Sequence, residues 1–525
     1  MSLDSLASWL LVGSLVVLFG VLAVRFSVRS GLPSLLIYLA IGLLLGERFL
    51  GVRYDNALLT EILGYAALTV ILIEGGITTQ WRGVKRSIGP AVSLATFGVL
   101  VSVGVVAFAA HAVLGLPWQT ALIVGAVLSS TDAAAVFSVL RRVPLPRRVS
   151  GILEVESGLN APPVVILATL FSLRAAGQGG DGTWLHVAAI ALMELAGGLT
   201  MGLVIGWLGG RLLKAISGSA ATVFAIGVIA VAIMAYGLAD RLHLSGFAAC
   251  YVAALVLGNL DLPHRASFIG LSTALGWLAQ IGLFVLLGLL ADPKEFVAQL
   301  WPAVALGTIL LLVARPLSVL LSCGPFRLSW REHAFLSWAG LRGAVPVVLA
   351  TVPTLVGAPG MMWLFDLVFV LVVIFTLVQA PTLPWVARRL GVIAAHHEVD
   401  LAVESTSLDE VGADLLEVSV GPGSHLAGIE ISELRLPPKA NVSLIVRADT
   451  TIVPGSSTLI RRGDRLLVVV PSAHRVATQA RLEAVSTSGR LAGWTRGAPA
   501  SDEVDHSLPP SLPRRLWGRV TRPDA

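Results

Sequence analysis

The sequence contains few charged residues and almost no cysteine. Asp, Glu, Lys and Arg make up 13% of the 525 residues, against about 25% in ordinary globular chains, and hydrophobic residues make up 55%. So few charges cannot cover the surface of a soluble 55.0 kDa protein, and the chain is therefore expected to contact lipid. The same composition excludes a disordered chain. The two cysteines, Cys250 and Cys323, lie in apolar stretches and are interpreted as structural thiols.

Several motifs that mark enzymes are also missing from the sequence. It has no glycine-rich phosphate loop, no zinc-ligand spacing and no G-x-S-x-G elbow. No nucleophile–base pair stands out, so an intramembrane enzyme is the weakest of the functional hypotheses. We expect no enzyme activity, no cofactor, no resident metal and no nucleic-acid partner.

Long apolar runs fill the first three quarters of the chain. A bilayer core needs about 20 apolar residues per helix. The runs predict an all-α polytopic membrane protein with about thirteen spans, near 6–24, 32–47, 57–75, 88–110, 119–140, 150–173, 185–210, 220–239, 245–260, 269–291, 298–322, 332–352 and 361–387. The first run lacks a basic n-region and a small-residue cleavage site, which favours a retained helix over a signal peptide.

Positive charges alternate between the loops. Lys and Arg number roughly sixteen in one set of alternate loops and roughly five in the other. By the positive-inside rule the first set is cytoplasmic, so the N-terminus lies outside and the tail after residue 390 lies in the cytoplasm. An odd number of spans fits this alternation. We expect the protein in a bacterial inner membrane, in contact with lipid.

The tail differs in composition from the rest of the chain. Leu415–Val420, Val442–Arg447 and Arg465–Val470 are typical of short strands, and Arg475–Ala484 of a closing helix. These elements predict a transmembrane domain over 1–390, a linker over 391–411 and a small α+β domain over 412–485. Residues 486–525 are rich in Pro, Ser, Gly and Arg, and are predicted to be disordered.

Ionisable and polar residues gather inside spans five and six. An ionisable residue within a span costs at least about 2.5–3.5 kcal/mol, so each one needs a reason. Span five contains Thr131 and Asp132. Span six contains Glu156 and Asn160, which share a helix face at i and i+4, and Pro162, which frees a carbonyl one turn earlier. Carboxylates, an amide and freed carbonyls suit a small dehydrated cation. The alternatives are that Asp132 caps a helix at a break and that Asn160 only bonds between helices.

Span twelve supplies the opposite charge. Gly340, Gly343 and Pro346 surround Arg342 and predict an interrupted helix. Spans four to six and eleven to thirteen form two corresponding triples, typical of inverted repeats whose two broken helices cross near the midplane. Glu156 is the predicted partner of Arg342. That pair is interpreted either as a static ion pair or as part of the transport chemistry.

The chain resembles the NhaP-type monovalent cation:proton antiporters, in the CvrA-like potassium/proton branch with a C-terminal TrkA-C (RCK_C) domain. The stretches that carry the resemblance are Leu72–Gly76, Ser129–Ser138, Glu156–Asn160 and Gly340–Pro346, with Leu415–Val418, Leu434–Pro437 and Arg462–Asp464 in the tail. The resemblance implies an NhaA-like fold and alternating exchange of K⁺, or Na⁺, for H⁺. It also implies a homodimer built on spans one to three and seven to ten, and a small regulatory ligand at the TrkA-C domain.

Two positions depart from the pattern of this family. Glu74 stands where the family usually has Asp, and Ala161 follows Asn160 where the family has the Asp held to exchange cation for proton. The resemblance therefore implies Thr131, Asp132 and Asn160 as site residues, with Glu156 and Arg342 in support. We expect the exchange centre to have moved to Asp132. The alternative is a transport-inactive sensor or scaffold that acts through its TrkA-C domain.

Overall fold

A computed structural model describes most of the chain in two separate units. The described residues are 3–489 without 31–32, 47–48, 52–55, 86, 133–144, 179–183, 217–219, 394–400, 409–412, 422, 449 and 472–473. The first unit is helical and its last helix ends at Leu390, and the second contains five strands and a closing helix. The segment 490–525, which includes most of the predicted disordered tail, lies outside the described residues.

The described part of the first unit contains fifteen helices that are numbered here and one further four-residue helix, Val352–Leu355. The numbered helices are α1 Leu3–Ser30, α2 Ser34–Leu45, α3 Ala57–Thr78, α4 Trp81–Val84, α5 Ile88–Leu114, α6 Trp118–Ser129, α7 Arg147–Ala175, α8 Trp184–Ala215, α9 Ala221–Arg241, α10 Gly246–Asn259, α11 Arg265–Leu290, α12 Phe296–Phe326, α13 Trp330–Trp338, α14 Ala344–Leu349 and α15 Trp363–Leu390. Their apolar surfaces pack into one continuous core.

Helix length and composition agree with a chain that crosses a membrane many times. In the described part, nine helices are long and apolar enough to span a bilayer. Shorter apolar helices occupy the other predicted spans, namely α2, α6, α10 and the segment Ala344–Leu355. The second half of predicted span five, residues 133–140, lies outside the described residues. The count of thirteen spans and the inverted repeats therefore stay predictions.

Two of the apolar segments lose their helical backbone near the middle. Helix α6 ends at Ser129, and residues 130–132 continue without helical structure. Helix α13 ends at Trp338, residues 339–343 are not helical, and α14 begins at Ala344. Gly340 and Gly343 both lie in this second interruption, where residues without a side chain let other groups approach the backbone closely.

The two prolines predicted as helix breakers do not break a helix. Pro346 is the third residue of α14, within the first turn, where a backbone N–H has no intrahelical acceptor. Pro162 lies inside α7, which is continuous from Arg147 to Ala175 and also contains Pro163. A proline removes one hydrogen bond, and a spanning helix tolerates this loss where neighbouring helices enclose it. Gly158, Asn160, Ala161 and Pro162 are all buried in this way.

Close contact between glycines joins two of the helices. A Cβ atom added at Gly42 of α2 would lie 2.1 Å from the carbonyl oxygen of Val285 in α11. A Cβ atom added at Gly288 of α11 would lie 2.3 Å from the carbonyl oxygen of Leu39 in α2. The two helices therefore pack backbone to backbone, which is how helices gain contact area where lipid removes any hydrophobic drive.

Helices α5 and α12 each contain one π-helical turn and are joined by serines. The turns are Leu94–Gly98 in α5 and Leu310–Ala314 in α12. The Ser318 hydroxyl donates to the Gly98 carbonyl at 2.8 Å, and the Ser93 hydroxyl donates to the Ser322 carbonyl at 3.0 Å. The first of these bonds satisfies the carbonyl at the end of the π turn in α5. Both join α5 to the part of α12 that begins with the buried Arg315.

The second unit is an antiparallel sheet covered by one helix. Its elements are β1 Leu401–Leu408, β2 Ala413–Val420, β3 Asn441–Arg447, β4 Thr450–Ile452, β5 Arg465–Pro471 and α16 Arg475–Ser488, and the strand order is β1-β2-β5-β3-β4. Leu416 pairs with Val468 and Val418 with Leu466, and all four are buried. Leu482 on α16 belongs to the same core. Alternation along β2 and β5 thus follows the two-residue period of a half-buried sheet.

The boundary of this unit differs from the prediction. The strands predicted at 415–420, 442–447 and 465–470 coincide with β2, β3 and β5, and the closing helix is four residues longer than predicted. Strand β1, however, lies inside the predicted linker 391–411 and pairs with all of β2, from Leu401 opposite Val420 to Leu408 opposite Ala413. An edge strand satisfies the free backbone groups of β2. Its sequence carries few of the β-branched residues on which the prediction relied.

Candidate functional site

Asp132 lies where the two interrupted segments meet. Its backbone N–H donates to the carbonyl of Leu341 at 3.0 Å, so the two non-helical stretches are bonded to each other. Its carboxylate oxygen Oδ2 accepts from the backbone N–H of Ala344 at 3.3 Å. Ala344 is the first residue of α14, and its N–H is one of the donors that a helix start leaves free. The side chain is 1% exposed. A carboxylate is thus held inside the helical unit by backbone groups.

Gly343 leaves the space that this carboxylate occupies. A Cβ atom at residue 343 would lie 1.7 Å from Oδ2 of Asp132 and 2.5 Å from its Cγ. Atoms cannot approach so closely, so a side chain at this position would displace the carboxylate. Gly343 therefore has two roles. It lies in the interrupted backbone, and its missing side chain leaves room for the Asp132 carboxylate.

Thr131 joins α6 to α7 through two residues of the predicted site. Its backbone N–H donates to Oδ1 of Asn160 at 3.4 Å, and its hydroxyl donates to Oε1 of Glu156 at 3.5 Å. Asn160 and Glu156 therefore face the same interruption, as the i, i+4 spacing predicts. All three side chains are buried. The sequence-predicted group Thr131, Asp132, Glu156 and Asn160 is thus brought together around the end of α6.

Glu156 forms its ion pair with Arg315, and the predicted pair with Arg342 is not the one present. Oε1 of Glu156 accepts from Nη1 of Arg315 at 2.6 Å, and Oε2 accepts from Nη2 at 2.7 Å. Side-chain exposure is 4% for Arg315 and 2% for Glu156. The planar guanidinium matches both carboxylate oxygens at once, which makes this arrangement a strong one in a buried site. Sequence analysis missed Arg315, although an arginine inside predicted span eleven was a signal that could have identified it.

Arg342 has a different partner because it lies in the interrupted backbone itself. Its Nη1 donates to the carbonyl of Ser130, one residue past the end of α6. Carbonyls at the C-terminal end of a helix have no intrahelical donor and carry partial negative charge, so a cation there is stabilising. The carbonyl of Arg342 accepts from the Thr376 hydroxyl of α15 at 3.1 Å. Arg342 therefore balances the partial negative charge at the C-terminal end of α6, and Asp132 balances the partial positive charge at the start of α14.

A small cavity lies beside Asp132. Its lining residues are Leu68, Ile71, Leu72, Asp132, Ser157, Ala161, Val165, Phe247 and Val345. Asp132 is the one ionisable residue among these nine. Ala161, at the position where the resemblance leads one to expect an aspartate, contributes only a methyl group to the same cavity. Apart from the Asp132 carboxylate and the Ser157 side chain, the lining is apolar, so the arrangement offers one carboxylate to a small positively charged species.

Comparison with known proteins shows the family to which the chain belongs. The family described as sodium/hydrogen exchanger, transmembrane, matches residues 14–389, and the TrkA-C domain matches residues 415–482. The K(+)/H(+) antiporter NhaP2 of Shewanella oneidensis is 33% identical over 514 residues, which cover 96% of this chain and 86% of that protein. The K(+)/H(+) antiporter NhaP of Alkalimonas amylolytica is 33% identical over 470 residues, covering 88% and 80%.

A solved structure shares the fold of the helical unit. The sodium proton antiporter MjNhaP1 of Methanocaldococcus jannaschii superposes with a TM-score of 0.64 at 22% identity, over 73% of this chain and 99% of that one. The match extends over the helical part of the chain, and the strand unit is accounted for by the TrkA-C domain. The protein is therefore a multi-span membrane protein with a C-terminal soluble TrkA-C domain, and it belongs to the transmembrane sodium/hydrogen exchanger family.

Proposed function

We propose that this protein is a secondary active monovalent cation/proton antiporter in which Asp132 is the exchange carboxylate. The observation that carries the proposal is the position of Asp132. It is buried where the non-helical residues after α6 meet the interruption between α13 and α14, and it is the one ionisable residue that lines the adjacent cavity. Relatives that match nearly the whole chain are antiporters by name, which supports the same function for this protein.

The flow of the cation and the flow of the proton are coupled because both ions compete for the same carboxylate. A buried carboxylate is costly as a lone charge, and either a proton or a dehydrated cation relieves this cost. Binding of one excludes the other, so a carrier that alternates between two faces of the membrane exchanges them. Thr131 and Asn160 complete the polar surroundings of Asp132, and Glu156 is engaged by Arg315. Transport by this scheme needs no covalent chemistry and no cofactor.

Potassium is the proposed cation, with sodium as the alternative. The support is the K(+)/H(+) designation of the relatives and the TrkA-C domain, which typically accompanies potassium-handling systems. We further propose a homodimer in a bacterial inner membrane, with the N-terminus outside and the TrkA-C domain in the cytoplasm. A small cytoplasmic ligand at that domain would regulate exchange.

Proteoliposomes with an internal pH dye test the central proposal. A pulse of K⁺ or Na⁺ should drive proton movement in the wild type, and comparison of the two cations gives the selectivity. Asp132→Asn keeps the shape of the side chain and removes its charge, so it should abolish exchange. Asp261→Asn, at an exposed loop position, is the matched control and should keep the wild-type rate. Full exchange in Asp132→Asn would reject the assignment.

A transport-inactive homologue that signals through its TrkA-C domain is the second candidate. It is favoured by Ala161, which leaves the cavity with a single carboxylate where the family pattern has two. On this hypothesis the wild type moves no protons under any cation gradient, and Ala161→Asp restores movement. On the antiporter hypothesis the wild type already exchanges, so the same wild-type measurement separates the two.

A further inference from the structure

Glu154 shares a helix face with the residues that line the Asp132 cavity. It precedes Gly158 by four residues and Ala161 by seven on α7, which places all three along one stripe. Glu154 lies toward the arginine-rich start of this helix, and Ala161 lies at the cavity. Among the residues that the structure describes, no salt bridge or hydrogen bond to the Glu154 carboxylate is found. The carboxylate is nevertheless only partly exposed.

Tyr251 of α10 packs on Gly158, which lies between Glu154 and Ala161 along α7. Its ring packs directly on the backbone of Gly158, where an added Cβ atom would lie 2.3 Å from Cε2 and 2.8 Å from the hydroxyl oxygen. Phe247, one turn earlier on α10, lines the cavity itself. Glu154 lies one turn before Gly158 on α7, so it belongs to the helix face that Tyr251 covers. Tyr251 thus lies one turn from the cavity, on the side of Glu154.

The Tyr251 hydroxyl is buried and makes no hydrogen bond of normal geometry among the described residues, although the Thr79 side chain lies near it. The side chain is 1% exposed, and a buried hydroxyl is normally bonded to protein or to water. The ring of Tyr251 is in close contact with Gly158, so a hydrated cation would have to displace the ring to pass between them. Water molecules or a proton are therefore the species that fit beside this hydroxyl.

We propose that Glu154 and Tyr251 form a proton-selective relay to Asp132. The inference rests on the proposed function and deepens it, because it gives the proton an approach to the cavity that the cation does not share. Glu154 takes up a proton from the arginine-rich face and passes it to water. The Tyr251 hydroxyl accepts a proton on its oxygen and releases its own toward the cavity, so it ends the step unchanged. Asp132 receives the proton and releases its bound cation.

Two kinds of flux separate this role from a purely structural one. Proton-coupled exchange is measured with an internal pH dye after a K⁺ pulse, and cation self-exchange as ⁸⁶Rb⁺ uptake into K⁺-loaded proteoliposomes without a pH gradient. Tyr251→Phe keeps the ring on Gly158 and removes the hydroxyl. It should slow K⁺/H⁺ exchange about tenfold or more and leave ⁸⁶Rb⁺/K⁺ exchange unchanged. Glu154→Gln should behave in the same way.

Tyr38→Phe is the matched control for the hydroxyl. Tyr38 on α2 is equally buried and its hydroxyl also makes no hydrogen bond of normal geometry among the described residues, but it does not line the Asp132 cavity. Both fluxes should stay at the wild-type rate in this variant. Glu194→Gln on α8 is the corresponding control for the carboxylate.

The possible outcomes are distinct. An equal fall of both fluxes in Tyr251→Phe would show that the residue only supports packing, and would overturn the relay. Unchanged K⁺/H⁺ exchange in both Tyr251→Phe and Glu154→Gln would overturn it as well. A wild type without either flux would overturn the proposed antiport and the relay with it, whereas the first two results would leave the antiport intact.

Discussion

Glu156 and Arg315 form a two-point ion pair across the interior of the helical unit. Two short hydrogen bonds of 2.6 and 2.7 Å join the carboxylate on α7 to the guanidinium on α12. Both side chains are almost fully buried, so neither charge is stabilised by water. A carboxylate held in this way is already neutralised by its partner. On the proposed function, Glu156 therefore has a structural role, and Asp132 is the carboxylate that binds the transported ion.

This pairing predicts a strong energetic coupling between residues 156 and 315. Removal of one partner leaves an uncompensated buried charge, so Glu156→Gln and Arg315→Gln should each lower the free energy of unfolding by about 3–5 kcal/mol. The double variant should be much less destabilised than the sum of the two. Thermal unfolding in detergent compares the stability of the two single variants and the double variant with that of the wild type.

The cycle of Glu156→Gln with Arg342→Gln serves as the comparison. Arg342 donates to the Ser130 carbonyl, so its coupling to Glu156 should be small. A larger coupling of Glu156 to Arg342 than to Arg315 would contradict the ion pair in the structure.

Arg315 illustrates which features of the structure can be predicted from the sequence and which cannot. The apolar runs predicted the helices, and Gly340 and Gly343 predicted the interruption before α14, because both are local properties of the chain. The partner of Glu156 is not a local property. It depends on which helices meet and on the π turn Leu310–Ala314, which immediately precedes Arg315. Likewise, proline predicts a break in the helix at residue 162, but packing around α7 keeps the helix continuous.

The space beside Asp132 predicts a selective effect of a methyl group at residue 343. In Gly343→Ala the new Cβ atom would overlap Oδ2 of Asp132, so the carboxylate must move away from the Ala344 N–H. We expect cation/proton exchange to fall at least about tenfold, since loss of one charge-assisted hydrogen bond alone is worth about that much. Proteoliposome flux, normalised to the amount of folded protein, is the measurement.

Gly237→Ala is the control for this substitution. Gly237 lies in α9, and no heavy atom lies within 4 Å of a Cβ atom added there. This variant should exchange at the wild-type rate with unchanged thermal stability. Wild-type exchange in Gly343→Ala would mean that the carboxylate does not need its position in the structure.

A single ionisable residue in the cavity predicts electroneutral exchange. Asp132 can hold one proton or one monovalent cation, so each cycle should move one positive charge in each direction. The rate should then be independent of membrane potential, because no net charge crosses per turnover. Proteoliposomes set at about 0 and about −100 mV with gradients of the permeant anion thiocyanate, and given the same K⁺ pulse, allow the comparison. A severalfold change in rate between the two potentials would require a second charged site.

The soluble unit predicts a pH dependence of its own. Asp464 is fully buried and accepts hydrogen bonds from Nε of Arg447 at 2.8 Å, from Nη2 of Arg447 at 2.7 Å and from the backbone N–H of Arg461 at 2.8 Å. Burial alone would raise the pKa of Asp464, but the bonds from Arg447 and Arg461 outweigh it and hold the pKa below its usual value. The stabilisation is therefore complete above the unfolded pKa of about 3.9 and is lost as the pH falls through the lower folded value.

Hydrogen–deuterium exchange of β5 in the full-length protein, corrected for the intrinsic pH dependence of exchange, tests this prediction. Asp464→Asn should destabilise the sheet by about 2–3 kcal/mol at pH 7, because bonds to a charged group are lost. It should also remove the acid-induced loss of protection. Glu417→Gln is the control, since the Glu417–Arg465 pair is exposed, with atoms 3.5 Å apart, and is worth about 0–1 kcal/mol. Equal effects of the two substitutions would show that the buried position of Asp464 adds nothing to the stability of the sheet.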